Sequence, residues 1–368
     1  GAQSRIRRML DVRMIGRESV YDSVNILFNA DLRPWTAHRP AALYFVEQPD
    51  LRATFLTINA HDRWSFLIHS LSHYGYTAGD FTPERCMALI RQGVGIPDLP
   101  VKILGVSYWE AAAVVADRYR DGRLFLAGDA AHEMPPTGGF GMNTGVQDVQ
   151  NLCWKLAAVL TEQTGPGLLD TYHAERQPLG LVTTRNALEN SLSMGRATRQ
   201  DSAKLPRSEF LNEQGLIFGV SYESAAVIPD GSTPEPVDDP VTQYAPSARP
   251  GCRAPHVWLE RGGERISTID LFGGRFVLLT GPQGEAWQQA VAEVARPDRP
   301  ELVAQIIGGN EIRDPDGAWP TTYGLKEDGA VLVRPDGYVA WRAPTGVSTP
   351  VQALTAAFDR ILCRPRPS

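Results

Sequence analysis

Residues 123–160, RLFLAGDAAHEMPPTGGFGMNTGVQDVQNLCWKLAAVL, constrain this chain more than any other stretch, because they read as strand, glycine-rich loop and helix in immediate succession. Leu124, Phe125, Leu126 and Ala127 form a short apolar run that stops at Gly128, and the first polar group beyond it is the Asp129 carboxylate. Pro135 and Pro136 stiffen the backbone that follows. Gly138, Gly139 and Gly141 remove side chains where a flat ligand could approach main-chain N–H groups. Val146, Val149, Cys153, Leu156, Ala157 and Leu160 then recur at three- and four-residue spacing, which predicts a helix beginning near Asn143 with its free N–H groups turned to the loop.

A strand-end carboxylate that accepts from sugar hydroxyls, beside the positive end of a helix, suits a nucleotide cofactor whose ring accumulates negative charge, as a reduced flavin does. For GD or GG alone, a tight βα turn is the simpler reading, but the whole string is far more specific. Gly128-Asp129-Ala130-Ala131-His132, followed by Pro135-Pro136-Thr137-Gly138 and Gly141-Met142-Asn143, resembles the second flavin-binding motif of the single-component FAD-dependent aromatic hydroxylases of the para-hydroxybenzoate hydroxylase type. It is most similar to the longer, three-domain members that oxidise phenols and aromatic polyketides. The resemblance implies that Asp129 binds the ribityl chain of FAD, that residues 136–143 lie along the isoalloxazine, and that the helix start faces its pyrimidine edge. Gly128, Asp129, Ala131, Pro136, Gly138, Gly139, Gly141, Met142 and Asn143 are the cofactor-binding candidates on that basis. The implied reaction consumes NAD(P)H and O2 and places one oxygen on a phenolic or polycyclic aromatic substrate. No protein nucleophile is recognisable, and no catalytic residue is named. Ring-expanding oxygenation of the Baeyer-Villiger kind and a flavin-free binding module are the alternatives.

With 368 residues, 43% of them hydrophobic, the chain can bury a sizeable core in two or three domains. A net charge of -6 and the lack of a Lys/Arg stripe give no footprint for nucleic acid. No apolar run approaches the roughly 20 residues that span a bilayer, and no signal peptide opens the sequence, so the expectation is a cytoplasmic protein without a membrane contact. Cys86, Cys153, Cys252 and Cys363 form no CxxC pair and are expected to be buried free thiols, and the seven histidines show no metal-ligand spacing, so no metal is expected.

The first residues, GAQSRIRRML, carry Ser4 and Arg7 where the hydroxylases have the tail of a DG-x-x-S-x-x-R motif that helps to position FAD and nicotinamide. No G-x-G-x-x-G follows any strand: Asp98 stands where Gly93 and Gly95 would need a third glycine, and Thr144 where Gly139 and Gly141 would. The expectation is a fragment, a cleaved chain or a missing first segment, with the N-terminal βαβ part and the adenine-side pocket outside these residues.

Residues 13–116 alternate in short runs. Strands are predicted at 24–28, 42–46, 53–59 and 64–69, and a helix after them with Thr82 as N-cap, Pro83 as its first residue and Glu84 in its first turn. By analogy with the hydroxylases, this antiparallel sheet is the substrate domain. Thr57, Asn59, Trp64 and Phe66 are candidates for its substrate face, joined by Trp109 from a return strand and by Met134 and Pro135 from the loop; core packing is the competing reading of each. Arg63 and His69 could bind a phenolate or carboxylate, and equally serve structure. Pro178 is expected to kink or restart a helix. Residues 195–250, rich in Pro, Ser and Asp, read as a long surface connection.

The remainder predicts a strand at 275–280, a helix marked by Trp287, Ala290, Val291 and Val294, a strand at 302–307, a hairpin turning at Asp336-Gly337 and a helical face of Val351, Leu354, Phe358 and Ile361. That order resembles the thioredoxin-like third domain of the longer hydroxylases, with a structural or homodimer-contact role. The expected architecture is mixed α/β and α+β. Residues 1–12 and 117–194 form an FAD-binding domain, 13–116 an antiparallel-sheet substrate domain, 195–250 a linker and 251–368 the thioredoxin-like domain.

Overall fold

The computed structural model describes residues 1–194 and 213–364. A short helix α1 (Arg5–Met9), whose Arg7 N–H donates to Ser4 Oγ at 3.2 Å, leads into the long strand β1 (Met14–Asn29). There follow α2 (Arg33–Thr36), β2 (Leu43–Gln48), β3 (Leu51–Thr57), β4 (Arg63–His69), α3 (Pro83–Val94) and β5 (Lys102–Ala116). The strands expected here are present. With β8 (His132–Glu133) they form one antiparallel sheet in the order β2-β3-β4-β1-β5-β8.

Register decides what each face of this sheet carries. Val24, Ile26 and Phe28 of β1 stand opposite Ile68, Phe66 and Trp64 of β4, so one face is continuously apolar. It packs on Cys86, Leu89 and Ile90 of α3, which begins as expected, with Thr82 Oγ1 accepting from the Arg85 N–H and Pro83 in the first turn. The opposite face carries Ser23 and Asn25 against His69 and Leu67 on one side and Trp109 and Ser107 on the other.

The apolar run at 124–127 contributes only a two-residue strand, β7 (Leu124–Phe125), paired with β6 (Arg120–Asp121) in a small hairpin. Beyond β8, α4 (Phe140–Leu160) begins three residues earlier than periodicity suggested. Helix α5 (Asp170–Ser193) runs on through Pro178, so the helix does not restart there. Tertiary anchoring outweighs the lost hydrogen bond: Tyr172, Glu175 and Arg176 are buried before the proline, and Thr184, Ala187 and Asn190 after it. Gly180 allows the approach, since a Cβ there would stand 2.2 Å from the Tyr119 hydroxyl.

Among residues 213–250, expected to form a surface connection, α6 (Gln214–Phe218) is helical, while Tyr222, Ala226 and Val227 are buried. The polar composition concealed these anchors, of which Tyr222 stacks on Tyr338 with ring centroids 4.1 Å apart. Residues 195–212 of that stretch lie outside the described residues.

The last unit holds β9 (Trp258–Arg261), β10 (Glu264–Ser267), β11 (Phe276–Thr280), α7 (Glu285–Val294), β12 (Leu302–Ile306), β13 (Ile312–Arg313), α8 (Trp319–Tyr323), β14 (Ala330–Val333), β15 (Val339–Ala343) and α9 (Pro350–Ile361). Its main sheet runs β12-β11-β14-β15, with β11 and β12 parallel and the β14–β15 hairpin antiparallel. Phe276, Leu278 and Leu332 face Trp287 of α7 and Leu354, Phe358 and Ile361 of α9. Val277, Leu279, Val331 and Val333 face the other way, onto Leu259, Trp319 and Tyr323. A strand covered on both faces reads as an unbroken apolar run, which is why FVLLT and AVLV were easily recognised.

All four cysteines are free, but only Cys86 is fully buried, and Cys153 is exposed, correcting that part of the reading. Among the described residues no helix is long and apolar enough to cross a membrane.

Candidate functional site

The site is built on a turn held from three sides. Gly128, at φ 56°, opens a single 3-10 turn, Gly128–Ala130, closed by the Ala131 N–H donating to Gly128 O at 2.7 Å. The turn lies directly on α4: a Cβ on Gly145 would stand 3.1 Å from Gly128 Cα, a tight contact that would push the turn away by a few tenths of an ångström. From below, the buried Arg7 guanidinium donates to Ala130 O at 3.0 Å and to Asp129 O at 3.4 Å, and its charge lies 3.7 Å from Glu133. Burial pushes the Glu133 carboxyl above its usual range, against the pull of Arg7. The Asp129 side chain itself is exposed, and among the described residues no donor reaches its carboxylate.

The proline-glycine loop follows. Pro135 and Thr137 are buried, with the Ser191 hydroxyl of α5 donating to Thr137 Oγ1 at 2.8 Å, while Pro136 is exposed. Gly138 and Gly139 both take positive φ, 101° and 70°, and Gly139 leads into α4 with no side chain capping the helix. Asn143 turns its amide back to Gly139 O at 2.8 Å, and Met142 is exposed. The first turn of this 21-residue helix therefore has N–H groups without a side-chain cap, with the partial positive charge of the helix end.

What lies behind this loop is unexpected. The stripe that predicted α4 is largely outside: Val146 is 62% and Leu160 79% exposed, and Val149 and Cys153 are exposed too. The buried residues are Phe140, Thr144, Asp148, Asn151, Leu152, Lys155 and Ala158. Asp148 accepts from the Gly128 N–H at 3.1 Å, from His132 Nε2 at 2.8 Å and from Arg176 Nε of α5 at 2.9 Å. Two turns on, Lys155 Nζ donates to Glu175 at 2.7 Å and to Asn151 Oδ1 at 2.8 Å. Glu175 also takes Arg334 of the last unit at 2.6 Å, and Arg334 binds Asp336. Burial pulls the Lys155 ammonium down to about 8 despite Glu175. Burial acts to raise the Glu175 carboxyl, but Arg334 and Lys155 outweigh it and hold the group well below the usual carboxylate range.

Sequence reading missed these residues. A signal existed: Thr144, Asp148, Asn151 and Lys155 share the three- and four-residue spacing of a second, polar stripe, and Glu175-Arg176 sits opposite on α5.

The substrate candidates do not share one surface. Trp64 and Phe66 are fully buried on the α3 side of the sheet, and Thr57, opposite Trp64, belongs to the same side. Asn59 lies beyond β3, where its Oδ1 accepts the N–H groups of His61, Asp62 and Arg63 and shapes the connection to β4. Trp109 stands on the other face, beside Tyr21 and His69. The physical reason is the two-residue period of a strand, which sends neighbouring positions to opposite faces. The face of Trp109 also holds Ser23, whose Oγ is 2.9 Å from His69 Nδ1, together with Asn25 and Ser65, which hydrogen-bond to each other. The alternation in SVNILFN was the available sign of it. Leu188 and Leu192 of α5, three residues before and one after the Ser191 that bonds Thr137, pack with Trp109 on the cluster of Val20, Tyr21, Ala111 and Ala113, so α5 ties this face to the loop that begins at Met134 and Pro135. Arg63 is exposed at the far end of β4.

Comparison with known proteins gives two family matches: "FAD binding domain" over residues 1–187 and "Aromatic-ring hydroxylase, C-terminal" over residues 247–365. The chain is 40% identical, over 99% of its own length, to the tetracenomycin A2 monooxygenase-dioxygenase of Streptomyces glaucescens, of which it covers 65%. It is 37% identical, again over 99% of its length, to the 4-methyl-5-nitrocatechol 5-monooxygenase of a Burkholderia species, covering 67% of that protein. Among solved structures, a ternary complex of aklavinone-11 hydroxylase with FAD and aklavinone superposes with a TM-score of 0.89 at 36% identity, over 99% of this chain and 66% of that one. The chain thus spans about two thirds of the length of the relatives it matches.

Proposed function

This chain belongs to the family of FAD-dependent aromatic-ring hydroxylases, and from that premise we propose that the whole protein is a monooxygenase that uses NAD(P)H and O2 to hydroxylate a phenolic or polycyclic, polyketide-like aromatic compound. The observation that carries the reading is the convergence of three groups: the exposed Asp129 carboxylate, to which no donor among the described residues reaches, the N-terminus of α4 without a side-chain cap, and the side-chain-free backbone of Gly138 and Gly139 between them. These fit FAD chemically. Asp129 would accept from the hydroxyls of the ribityl chain, residues 136–143 would hold the flat ring, and the first N–H groups of α4 would favour negative charge on it. When bound, FAD supplies the redox chemistry, taking a hydride from NAD(P)H and activating O2.

The protein's own part is to orient, to enclose and to exclude water. Pro135, Met134 and the sheet face of Trp109, Ser23, Asn25 and Ser65 enclose the aromatic substrate, with the polar side chains orienting its oxygens. Within the whole protein, residues 1–12 and 117–194 form the flavin unit, 13–116 the substrate unit, 195–250 the connection and 251–368 a thioredoxin-like unit. The strand order β12-β11-β14-β15 with helices α7 and α9 on one face supports the last assignment. Cys252 and Cys363 form no CxxC pair, so that unit serves structure or a dimer contact in a cytoplasmic enzyme.

The test is uptake of FAD by the purified whole protein, read as visible absorbance after removal of free flavin, followed by substrate-stimulated NAD(P)H oxidation under isotope-labelled O2. Flavin absorbance and one labelled oxygen on a ring carbon are expected. A whole protein that stays colourless overturns the cofactor assignment, and label inserted into an expanded ring overturns hydroxylation.

A further inference from the structure

Asp148 lies behind the proposed flavin loop, fully buried, and touches neither the exposed Asp129 carboxylate nor the outer surface. Of the three bonds it accepts, two go to the two ends of one five-residue segment: Gly128 N–H at 3.1 Å and His132 Nε2 at 2.8 Å. The third, from Arg176 Nε at 2.9 Å, neutralises the carboxylate and fixes it to α5. Arg176 in turn donates to Thr144 O and Gln147 Oε1, closing the cluster back onto the first turns of α4. The segment so gripped contains Asp129, next to its Gly128 end, and runs into β8 and the proline-glycine loop.

We infer that Asp148 is a positioning residue for the cofactor loop: by clipping both ends of residues 128–132 to α4, it sets where the Asp129 carboxylate stands relative to that helix's N-terminus. The inference rests on reading the loop as the flavin site and adds a residue that does not touch the cofactor. Its neighbour on the same buried face makes the distinction testable. Lys155, seven residues along α4, is equally buried and equally charged, but its bonds go to Asn151 and Glu175, toward the last unit, and none goes to residues 128–132. If buried ion pairs on α4 served stability alone, the two positions would behave alike. Holding a ligand-binding loop is a separate task, because such a loop must be fixed to within a fraction of an ångström.

The experiment compares the full chain carrying Asp148→Asn with the same chain carrying Lys155→Met. Three quantities are read: thermal stability, FAD affinity by flavin fluorescence, and hydrogen exchange of the amides of residues 128–132. Both variants are expected to lower the melting temperature. Asp148→Asn alone is expected to weaken FAD binding by about tenfold or more, the scale set by removing a group that orients a ligand-holding one, and to speed exchange at residues 128–132 by a similar factor. Lys155→Met is expected to leave both within about twofold of the unmodified chain. Equal changes in FAD affinity and exchange in the two variants, or none in Asp148→Asn, overturn the inference. If the unmodified chain takes up no flavin, the cofactor reading fails by itself, and the exchange rates still decide whether Asp148 holds the loop.

Discussion

Helices α4 and α9 have similar roles in their units, each packing across a neighbouring element, yet they bury opposite kinds of surface. α9 puts Leu354, Ala357, Phe358 and Ile361 inside, against Phe276 and Trp287. α4 puts Asp148, Asn151 and Lys155 inside and leaves Val146, Val149 and Leu160 exposed. Burial of α9 is driven by area removed from water, which has no direction and tolerates a change of shape. The charges of α4 are desolvated at a cost, which is offset only where partners stand at hydrogen-bond distance with the right geometry. The apolar interface therefore supplies stability, and the ionic one supplies position: it fixes which atom of α5, of the 128–132 turn and of the β14–β15 hairpin meets which atom of α4.

The largest effect should come from breaking the ionic interface at its link to the last unit. Arg334→Met leaves Glu175 and Asp336 carboxylates buried with too few cations, and we expect a loss of about 3–5 kcal/mol in chemical denaturation. Next comes pH. The folded Glu175 carboxyl sits below its unfolded value of 4.5, so its stabilisation is fully present above that pH and is lost as pH falls through the folded value. Stability of the unmodified chain should thus fall steeply below about pH 4.5, whereas Glu175→Gln should start lower and decline with a shallower slope in urea unfolding across the same range. The smallest effect should be at the apolar interface: Leu354→Met, a volume-conserving swap in a buried site, should cost less than about 1.5 kcal/mol. A Leu354→Met loss as large as that of Arg334→Met would erase the contrast between the two helices.

Much of the scaffold was legible from local chemistry. Thr82 and Pro83 marked the start of α3, and Asp336-Gly337, with Gly337 at φ 83°, marked the hairpin. The doubly covered strands of the last unit were legible too, because each such signal depends on a residue's own backbone preferences or on an unbroken apolar run. The reading failed where a pattern was right but its sense was not. The stripe on α4 identified a helix and pointed to the wrong face. The alternation in β3 and β4 identified strands, but placed Trp64 and Phe66 with Trp109, from which the sheet separates them. Pro178 disrupted the prediction and not the helix, since a proline's local cost is small beside the anchoring of α5 at both ends.

The sequence by itself determined most strands of the two main sheets and helices α3, α4, α7 and α9, the turn and loop chemistry around Gly128, Asp129 and Gly139, and through the string of residues 128–143 the family to which the chain belongs. Only the tertiary structure decided that Arg7 reaches under the Asp129 turn, that Asp148 and His132 close on each other, and that Arg334 lies against Glu175, 159 positions away. Backbone preference and short-range periodicity act within a few residues and can be read along the chain. A buried charge is tolerable only next to a partner, and that partner can come from any part of the sequence that folding brings within about 3 Å.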